Sequence, residues 1–437
     1  MSELLLTGGH LIDPASNTDG LHDVLIVDGV IAEIGPSIQA PGSDVLDVSG
    51  LVVSPGFVDL HVHLREPGRE DEETVYSGCA GAALGGFTAL QSMPNTDPVC
   101  DNAAVAEKIV AEAARVGLAR VVPAGSITKN LDGQHMSPFG EMVESSAAVR
   151  MFTDDGKGVQ DARLLRRAME YLRGFDAICA EHCDEASLSE GGQMNEGEVS
   201  DLLGLRGIPA EAEEIALARD LKLAKLTGVR FHALHVSTAG SVELIRRAKQ
   251  EGLRVTAEVT PHHLSLTDAE LTSFDTDFKV NPPLRSAADV EALRAGLLDG
   301  TIDAIATDHA PHSPEEKEAE FELSPPGMLG LETALGVLIG ELVPDILSLS
   351  QLIRVLSTNP ARILGLDEHG NVSVGARANL AIFDPAEAWT VDPESFASPS
   401  RNTPWKGREL TGKVKHTIFD GHLVVQGSQL LDIRSAV

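Results

Sequence analysis

The stretch Phe57–Gly68, FVDLHVHLREPG, follows LVVSPG (Leu51–Gly56), an apolar run closed by Pro and Gly. It reads as a buried strand that ends in two histidines one residue apart, then at once in an arginine and an acid. Side chains alternate faces along a strand, so residues i and i+2 point the same way. His61 and His63 therefore aim at one spot. A lone His-x-His is weak evidence for a metal, because a polar strand end gives the same pattern. The rest of the chain has to decide.

Seven more apolar runs follow the first: GFTALQSMP, ARVVPAGSI, AVRMFTDD, AICAEHC, RFHALHVS, RVTAEVTPHH and DAIATDHAPH. Helical patterns lie between them, such as DARLLRRAMEYLRG, EAEEIALARDLKLAKLTG and SVELIRRAKQEG. Eight strands with intervening helices is the count of an α/β protein built as a (β/α)8 TIM barrel. A doubly wound open sheet is the alternative, but no Gly-rich phosphate fingerprint follows the first strand. His61, His63, Asn95, Asp154, Asp155, His182, His235 and Asp308 all fall at the C-terminal ends of the runs. In a barrel those ends form the active-site face.

Both ends of the chain read differently. ELLLTGGHLIDP, DVLIVDGVIAEIG and DVLDVSGLVVSPG at the start, and GNVSVGARANLAIFDP and GKVKHTIFDGHLVVQG at the finish, are short strand patterns broken by turn residues. The expectation is a small β-sandwich domain from residues 1–54 and 370–437, around a catalytic barrel of residues 55–369.

Bulk properties narrow the function. Asp and Glu number 66 against 34 Lys and Arg, for a net charge of −32. Nucleic acid and anionic membranes would be repelled. Aromatic content is 4%, so the core is expected to be mostly aliphatic. Cys79, Cys100, Cys179 and Cys183 form no framework of spaced pairs and read as reduced thiols. Cys179 and Cys183 could pair on zinc, but no second pair accompanies them. The N-terminal MSELLLTGGHLIDP has no signal-peptide pattern, and no uncharged apolar run reaches the ~18 residues of a membrane span. A cytoplasmic protein is expected.

Four histidines and two aspartates at converging strand ends outnumber the ligands of one catalytic zinc and suffice for two ions ~3.5–4 Å apart. Iron, cobalt or manganese would also suit imidazole and carboxylate.

At this point the chain resembles a known family. His-x-His on the first strand, His on the fifth and sixth, and Asp on the eighth is the amidohydrolase pattern. DLHVHLREPG, SMPNTDP, FTDDG, AEHCDE, HVSTAG, EVTPHHL, KVNPPLR and ATDHAPH together are similar to bacterial type I dihydroorotases, from about Pro55 to Pro360. The resemblance implies that His61, His63 and Asp308 hold one zinc and that His182 and His235 hold the other. Many relatives bridge the pair with a carbamylated lysine. No lysine stands at this strand end, so an aspartate of FTDDG takes its place. Family spacing to the next histidine favours Asp155, with Asp154 as runner-up. Parity along the strand does not choose between neighbours.

The resemblance further implies that Arg65 and Asn95 grip the carboxylate of dihydroorotate, with His63, Asn281 and His312 beside it. The backbone of Pro326 and Gly327, in the turn PPG, would touch the ring. An Arg fork suits a carboxylate in a way a point charge does not. The structural alternative for Arg65 is an ion pair with Glu66 or Glu70. The implied chemistry uses metal-bound hydroxide as nucleophile and Asp308 as general acid/base, in reversible cyclisation of N-carbamoyl-L-aspartate. Competing expectations are a hydantoinase or allantoinase, and a non-catalytic scaffold subunit. Partner expectations are a homodimer and association with aspartate transcarbamoylase. The segment after Asp308 is expected to close over the site. His10, His22, His135, His232, His262, His263, His369, His416 and His422 are given no ligand role.

Overall fold

The computed structural model describes residues 3–432. The chain opens with five strands, β1 (Glu3–Asp13), β2 (Thr18–Val27), β3 (Val30–Gly35), β4 (Asp44–Asp47) and β5 (Val52–Pro55). A single glycine separates β5 from β6 (Phe57–Val62). Gly56 is needed there, because a Cβ would lie 2.3 Å from Thr88 Cγ2. Next come β7 (Phe87–Ser92), β8 (Arg120–Pro123), β9 (Met151–Phe152) and β10 (Ile178–Glu181). After a two-stranded excursion, β11 (Met194–Asn195) and β12 (Gly207–Ile208), the main series resumes with β13 (Arg230–Ala233), β14 (Val255–Val259) and β15 (Ala304–Ile305). The chain returns through β16 (Leu380–Thr390), β17 (Glu409–Phe419), β18 (His422–Gln426) and β19 (Gln429–Leu430).

The middle strands form an α/β arrangement of two parallel sheets, β6-β7-β8 and β9-β10-β13-β14-β15. Isolated parallel bridges link the two sheets at both seams, Gly125 with Phe152 and Val62 with His309. Helices start soon after strand ends because capping residues wait there. Asp161 caps Ala162–Arg173 through the amides of Arg163 and Leu164, and Thr238 caps Ala239–Gln250 through the amide of Ser241.

One face of the parallel strands carries Val58, Leu60, Ala89, Val122, Met151, Ile178, Ala180, Ala304 and Ala306, which pack on Ile363 and Leu364. The larger core packs strands against helices. It is aliphatic in the main, with Phe57, Phe87, Phe139, Phe152 and Phe231 fully buried in it.

The chain ends meet in one nine-stranded sheet, ordered β19-β18-β17-β16-β5-β1-β2-β3, with β4 on β1. It has its own core of Leu6, Leu11, Val24, Ile26, Ile31, Val53, Leu380, Ile382 and Ile418. Among the described residues, no helix is long and apolar enough to cross a membrane. All four cysteines are buried and free.

Candidate metal centre

His61 and His63 leave β6 on the same side, as strand parity requires. His61 is wholly buried, and its Nδ1 lies 2.8 Å from Glu258 Oε1 on β14. His63 Nδ1 lies 2.9 Å from Asn95 Oδ1, just past β7. Both partners are acceptors, so each ring carries a proton on Nδ1, and its neutral form would offer a lone pair at Nε2.

Those lone pairs face carboxylates. His61 Nε2 is 3.4 Å from Asp155 Oδ1 and 3.5 Å from Asp308 Oδ1. His63 Nε2 is 3.1 Å from Asp308 Oδ1 and 3.5 Å from Asp155 Oδ2. His61 Nε2 and Asp155 Oδ1 are buried and have no hydrogen-bond partner. Acceptors this close repel unless a proton or a metal cation sits among them, and against burial Asp155 and Asp308 raise His61 well above the usual imidazole range. This donor set therefore fits a metal ion.

A second group adjoins the first. His182, after β10, has Nε2 3.2 Å from Asn281 Nδ2. Its Nδ1 lies 2.9 Å from His235 Nε2 and 3.8 Å from Asp155 Oδ1. His235 Nε2 is 3.4 Å from the same aspartate oxygen. Two imidazole nitrogens this close need one proton or one cation between them. The ligand atoms of His61, His63 and Asp155 lie within 4.8 Å of one another, as do those of Asp155, His182 and His235. Asp155 belongs to both groups. Asp154 turns the other way and accepts from Thr128 N at 2.9 Å and from the Thr128 hydroxyl. No cysteine joins either group.

Electrostatics follow from burial and neighbours. Burial opposes charge on Asp155, yet His61 and His235 hold its carboxyl well below the usual range. Burial likewise opposes Asp308, where His61 and His63 prevail and keep it ionised. Glu258 is drawn down to about 2, against the same burial, by His232 and His61. Burial, then His235, lowers His182 to about 3, which keeps the ring neutral and able to ligate. Asp154 is pushed up to about 6 by burial. Backbone strain gathers here too. Arg65 (φ 60°), His235 (φ 30°) and Asp308 (φ 48°) occupy the left-handed region. That costs roughly 1–3 kcal/mol per residue and is concentrated at functional sites.

Arg65 is buried beside this centre. Its Nε donates to Pro311 O at 3.0 Å, Glu72 Oε2 lies 3.0 Å from the same nitrogen, and Nη2 is 3.4 Å from His312 Nε2. The ion-pair partner is thus Glu72. Glu66 and Glu70, the partners weighed from sequence, instead accept from Val75 N and Gly68 N. Glu72, His312 and Glu316 make a third cluster with metal-like spacing. Arg69 Nη2 bonds both Glu72 and Glu316 there, so guanidinium groups already supply the cation.

Other residues singled out from sequence are placed as follows. Asn95 and Asn281 hydrogen-bond His63 and His182. Pro326 O lies 3.0 Å from His312 Nε2, and Gly327 N donates to Lys279 O at 2.8 Å.

Sequence reasoning missed Glu258 and Glu72. The signal for Glu258 is a lone acid inside the apolar run RVTAEVTPHH, next to a histidine pair that draws the eye to metal ligation. His232, three residues before His235 and so off the ligand face of an extended strand, joins neither group, and its Nε2 sits 3.0 Å from Glu258 Oε2. His262 joins neither group, and its Nε2 is buried without a partner.

The amidohydrolase family model matches residues 342–425, and a dihydro-orotase-like model matches residues 50–241. The fold and the site thus define an amidohydrolase, an enzyme of the cyclic amide hydrolase class. The chain is 51% identical to a dihydroorotase of Pelotomaculum thermopropionicum, covering 97% of this chain and 99% of that one. It is 49% identical to a dihydroorotase of Anaeromyxobacter dehalogenans, covering 97% and 98%. Among solved structures, an L-hydantoinase (dihydropyrimidinase) from Arthrobacter aurescens is similar with a TM-score of 0.87 at 26% identity, covering 99% and 98%. A dihydropyrimidinase from Brevibacillus agri, at 22% identity and a TM-score of 0.84 over 98% and 96%, shares the fold. The chain belongs to the dihydroorotase family.

Proposed function

We propose that the protein is a dihydroorotase, which closes N-carbamoyl-L-aspartate to L-dihydroorotate with loss of water and runs the reverse ring opening. This is the third step of de novo pyrimidine synthesis. The observation that carries the reading is the 51% identity to a dihydroorotase across almost the whole of both chains. The buried imidazole–carboxylate groups are the chemistry such a reaction needs.

In this reading His61, His63 and Asp308 would hold one zinc ion, His182 and His235 would hold a second, and Asp155 would serve both in place of a carbamylated lysine. Support comes from the membership of Asp155 in both groups, from the turn of Asp154 toward Thr128, and from the orphaned atoms His61 Nε2 and Asp155 Oδ1. When bound, the metal supplies Lewis acidity and an activated water at neutral pH. Asp308 is kept ionised and ready as a base. It takes the proton of the attacking water and returns it to the ring nitrogen as the amide bond breaks. In closure it takes the proton from the carbamoyl nitrogen as the C–N bond forms and gives it to the oxygen that leaves as water. Arg65 grips the substrate carboxylate, with Asn95, Asn281, His312 and the Pro326–Gly327 turn around it. A guanidinium held by Pro311 O and Glu72 is preorganised for that task.

Around the site, we read the eight parallel strands β6–β10 and β13–β15 as a closed barrel, and the chain-end sheet as a separate domain of residues 1–54 and 370–437. Bridges at both seams support closure, and the separate apolar core supports the second unit. Register shifts in β1, β2, β16 and β17 would let that sheet fold over as a sandwich. A cytoplasmic location fits the four free thiols. A homodimer, and association with an aspartate transcarbamoylase, complete the proposal.

The hydantoinase likeness gives one rival reading. A panel of L-dihydroorotate, hydantoin and allantoin, offered to zinc-loaded protein, separates the two. Opening of dihydroorotate alone is expected, and opening of hydantoin in preference to it would overturn the proposal.

A further inference from the structure

The segment from His312 to Met328 follows the last parallel strand and is rich in acids, with Glu315, Glu316, Glu318, Glu320 and Glu322. Two lysines nonetheless meet it from inside. Lys317 is 7% exposed, and its Nζ donates to Pro325 O at 3.1 Å and to Gly327 O at 3.3 Å. Lys279 is 6% exposed, and its Nζ donates to Gln193 Oε1 and Phe321 O at 2.6 Å and to Glu322 O at 3.4 Å. Among the described residues, neither ammonium has a carboxylate within 4.0 Å.

A buried ammonium without a carboxylate partner is costly. Carboxylates are plentiful in this chain, yet both lysines are bound to neutral oxygens. What an ammonium offers there is three donors that gather several carbonyls at one point. Those gathered by Lys279 lie at Phe321 and Glu322, and those gathered by Lys317 belong to the Pro325–Gly327 turn, which meets His312. Lys317 holds the carbonyls on either side of Pro326. Pro326 O meets His312 Nε2 at 3.0 Å, and the same Nε2 lies 3.4 Å from Arg65 Nη2. Asn402 Nδ2 adds a second donor to Gly327 O at 3.1 Å, and Asn402 Oδ1 accepts from His312 N at 3.2 Å.

We propose that Lys317 is a positioning residue for substrate recognition: its ammonium clamps the Pro325–Gly327 turn, the turn fixes His312, and His312 is thereby held beside Arg65 for an anionic substrate. For the identity of that substrate the inference rests on the dihydroorotase reading. Lys317 touches no reacting atom, so it governs substrate affinity and leaves the chemical step alone.

The test uses full-length, zinc-loaded protein and Lys317→Met, which keeps the apolar stem and removes the donors. A charge-assisted hydrogen bond is worth enough that KM for L-dihydroorotate is expected to rise about tenfold, with kcat within about twofold. Asn402→Ala, which removes the second donor on Gly327 O, is expected to raise KM in the same direction. Lys317→Arg, which keeps a charge and donors, is expected to recover part of the loss. Amide hydrogen exchange at Gly327 and Met328 is followed in parallel and is expected to speed up about tenfold in Lys317→Met. An unchanged KM in a folded Lys317→Met protein overturns the inference, as does a fall in kcat at constant KM. Faster exchange in a protein that never turns over dihydroorotate keeps the clamp and sinks the substrate reading instead. Unchanged exchange overturns the clamp whatever the substrate.

Discussion

His61 Nδ1 and Glu258 Oε1 stand 2.8 Å apart with both side chains fully buried. The acid fixes the proton on Nδ1 and so turns the lone pair of Nε2 toward Asp155 and Asp308. Its second oxygen holds His232 at 3.0 Å. A carboxylate behind a ligand histidine typically contributes 10–100-fold to metal affinity. Glu258→Gln, which keeps the shape and loses the charge, is expected to weaken zinc binding by about that factor. Competition against a chromophoric chelator reads it directly. Wild-type affinity in this variant would mean that Glu258 serves only packing.

The two neighbouring aspartates should behave oppositely. Asp155→Ala removes the oxygen shared by both groups, so zinc retained after dialysis should fall sharply. Asp154→Asn should retain zinc as the wild type does, because its carboxyl is bound to Thr128. Its unfolding temperature at neutral pH should hold or rise, since burial disfavours the ionised carboxyl and an Asn oxygen still accepts from Thr128 N. Metal analysis beside calorimetry tests both. Zinc loss in Asp154→Asn would reverse the assignment.

Arg65→Lys is expected to be severe despite the conserved charge. A lysine cannot at once bond Pro311 O, meet Glu72 and present a planar fork. KM for dihydroorotate should rise at least about tenfold, while bound zinc stays constant. Steady-state kinetics with metal analysis on the same sample decide it. An unchanged KM would remove Arg65 from substrate binding.

Burial lowers Lys317 from 10.5 to about 8. Between those values the unfolded chain holds a proton that the folded chain has shed, so raising the pH favours the folded state. Relative to Lys317→Met, the wild type should gain up to about 3 kcal/mol of stability between pH 8 and pH 10.5. Urea unfolding of both proteins across that range measures the difference. A gap that stays constant or shrinks would contradict the assignment.

Much of the site is legible in the sequence. His61 and His63 share a face because a strand alternates, and the other polar residues stand where apolar runs stop. What stayed hidden was set by contacts across the fold. Asp154 and Asp155 are neighbours just past β9, and the position of Thr128 separates their roles. Glu258 reaches His61 from 197 residues away. Arg65 finds Glu72 because the chain turns through positive φ at Arg65 itself. The runs AVRMFTDD and DAIATDHAPH look like long strands, yet only Met151–Phe152 and Ala304–Ile305 form strands, and His309 adds an isolated bridge to Val62. Their ends leave the sheet to bring Asp155 and Asp308 to the centre.

The central claim is tested most directly by the initial rate of L-dihydroorotate opening in zinc-loaded protein, read as N-carbamoyl-L-aspartate formed, before and after a chelator. The account predicts rapid opening, its loss with the metal, its return when zinc is restored, and closure of N-carbamoyl-L-aspartate by the same preparation. Zinc-loaded, folded protein that leaves dihydroorotate untouched would contradict it.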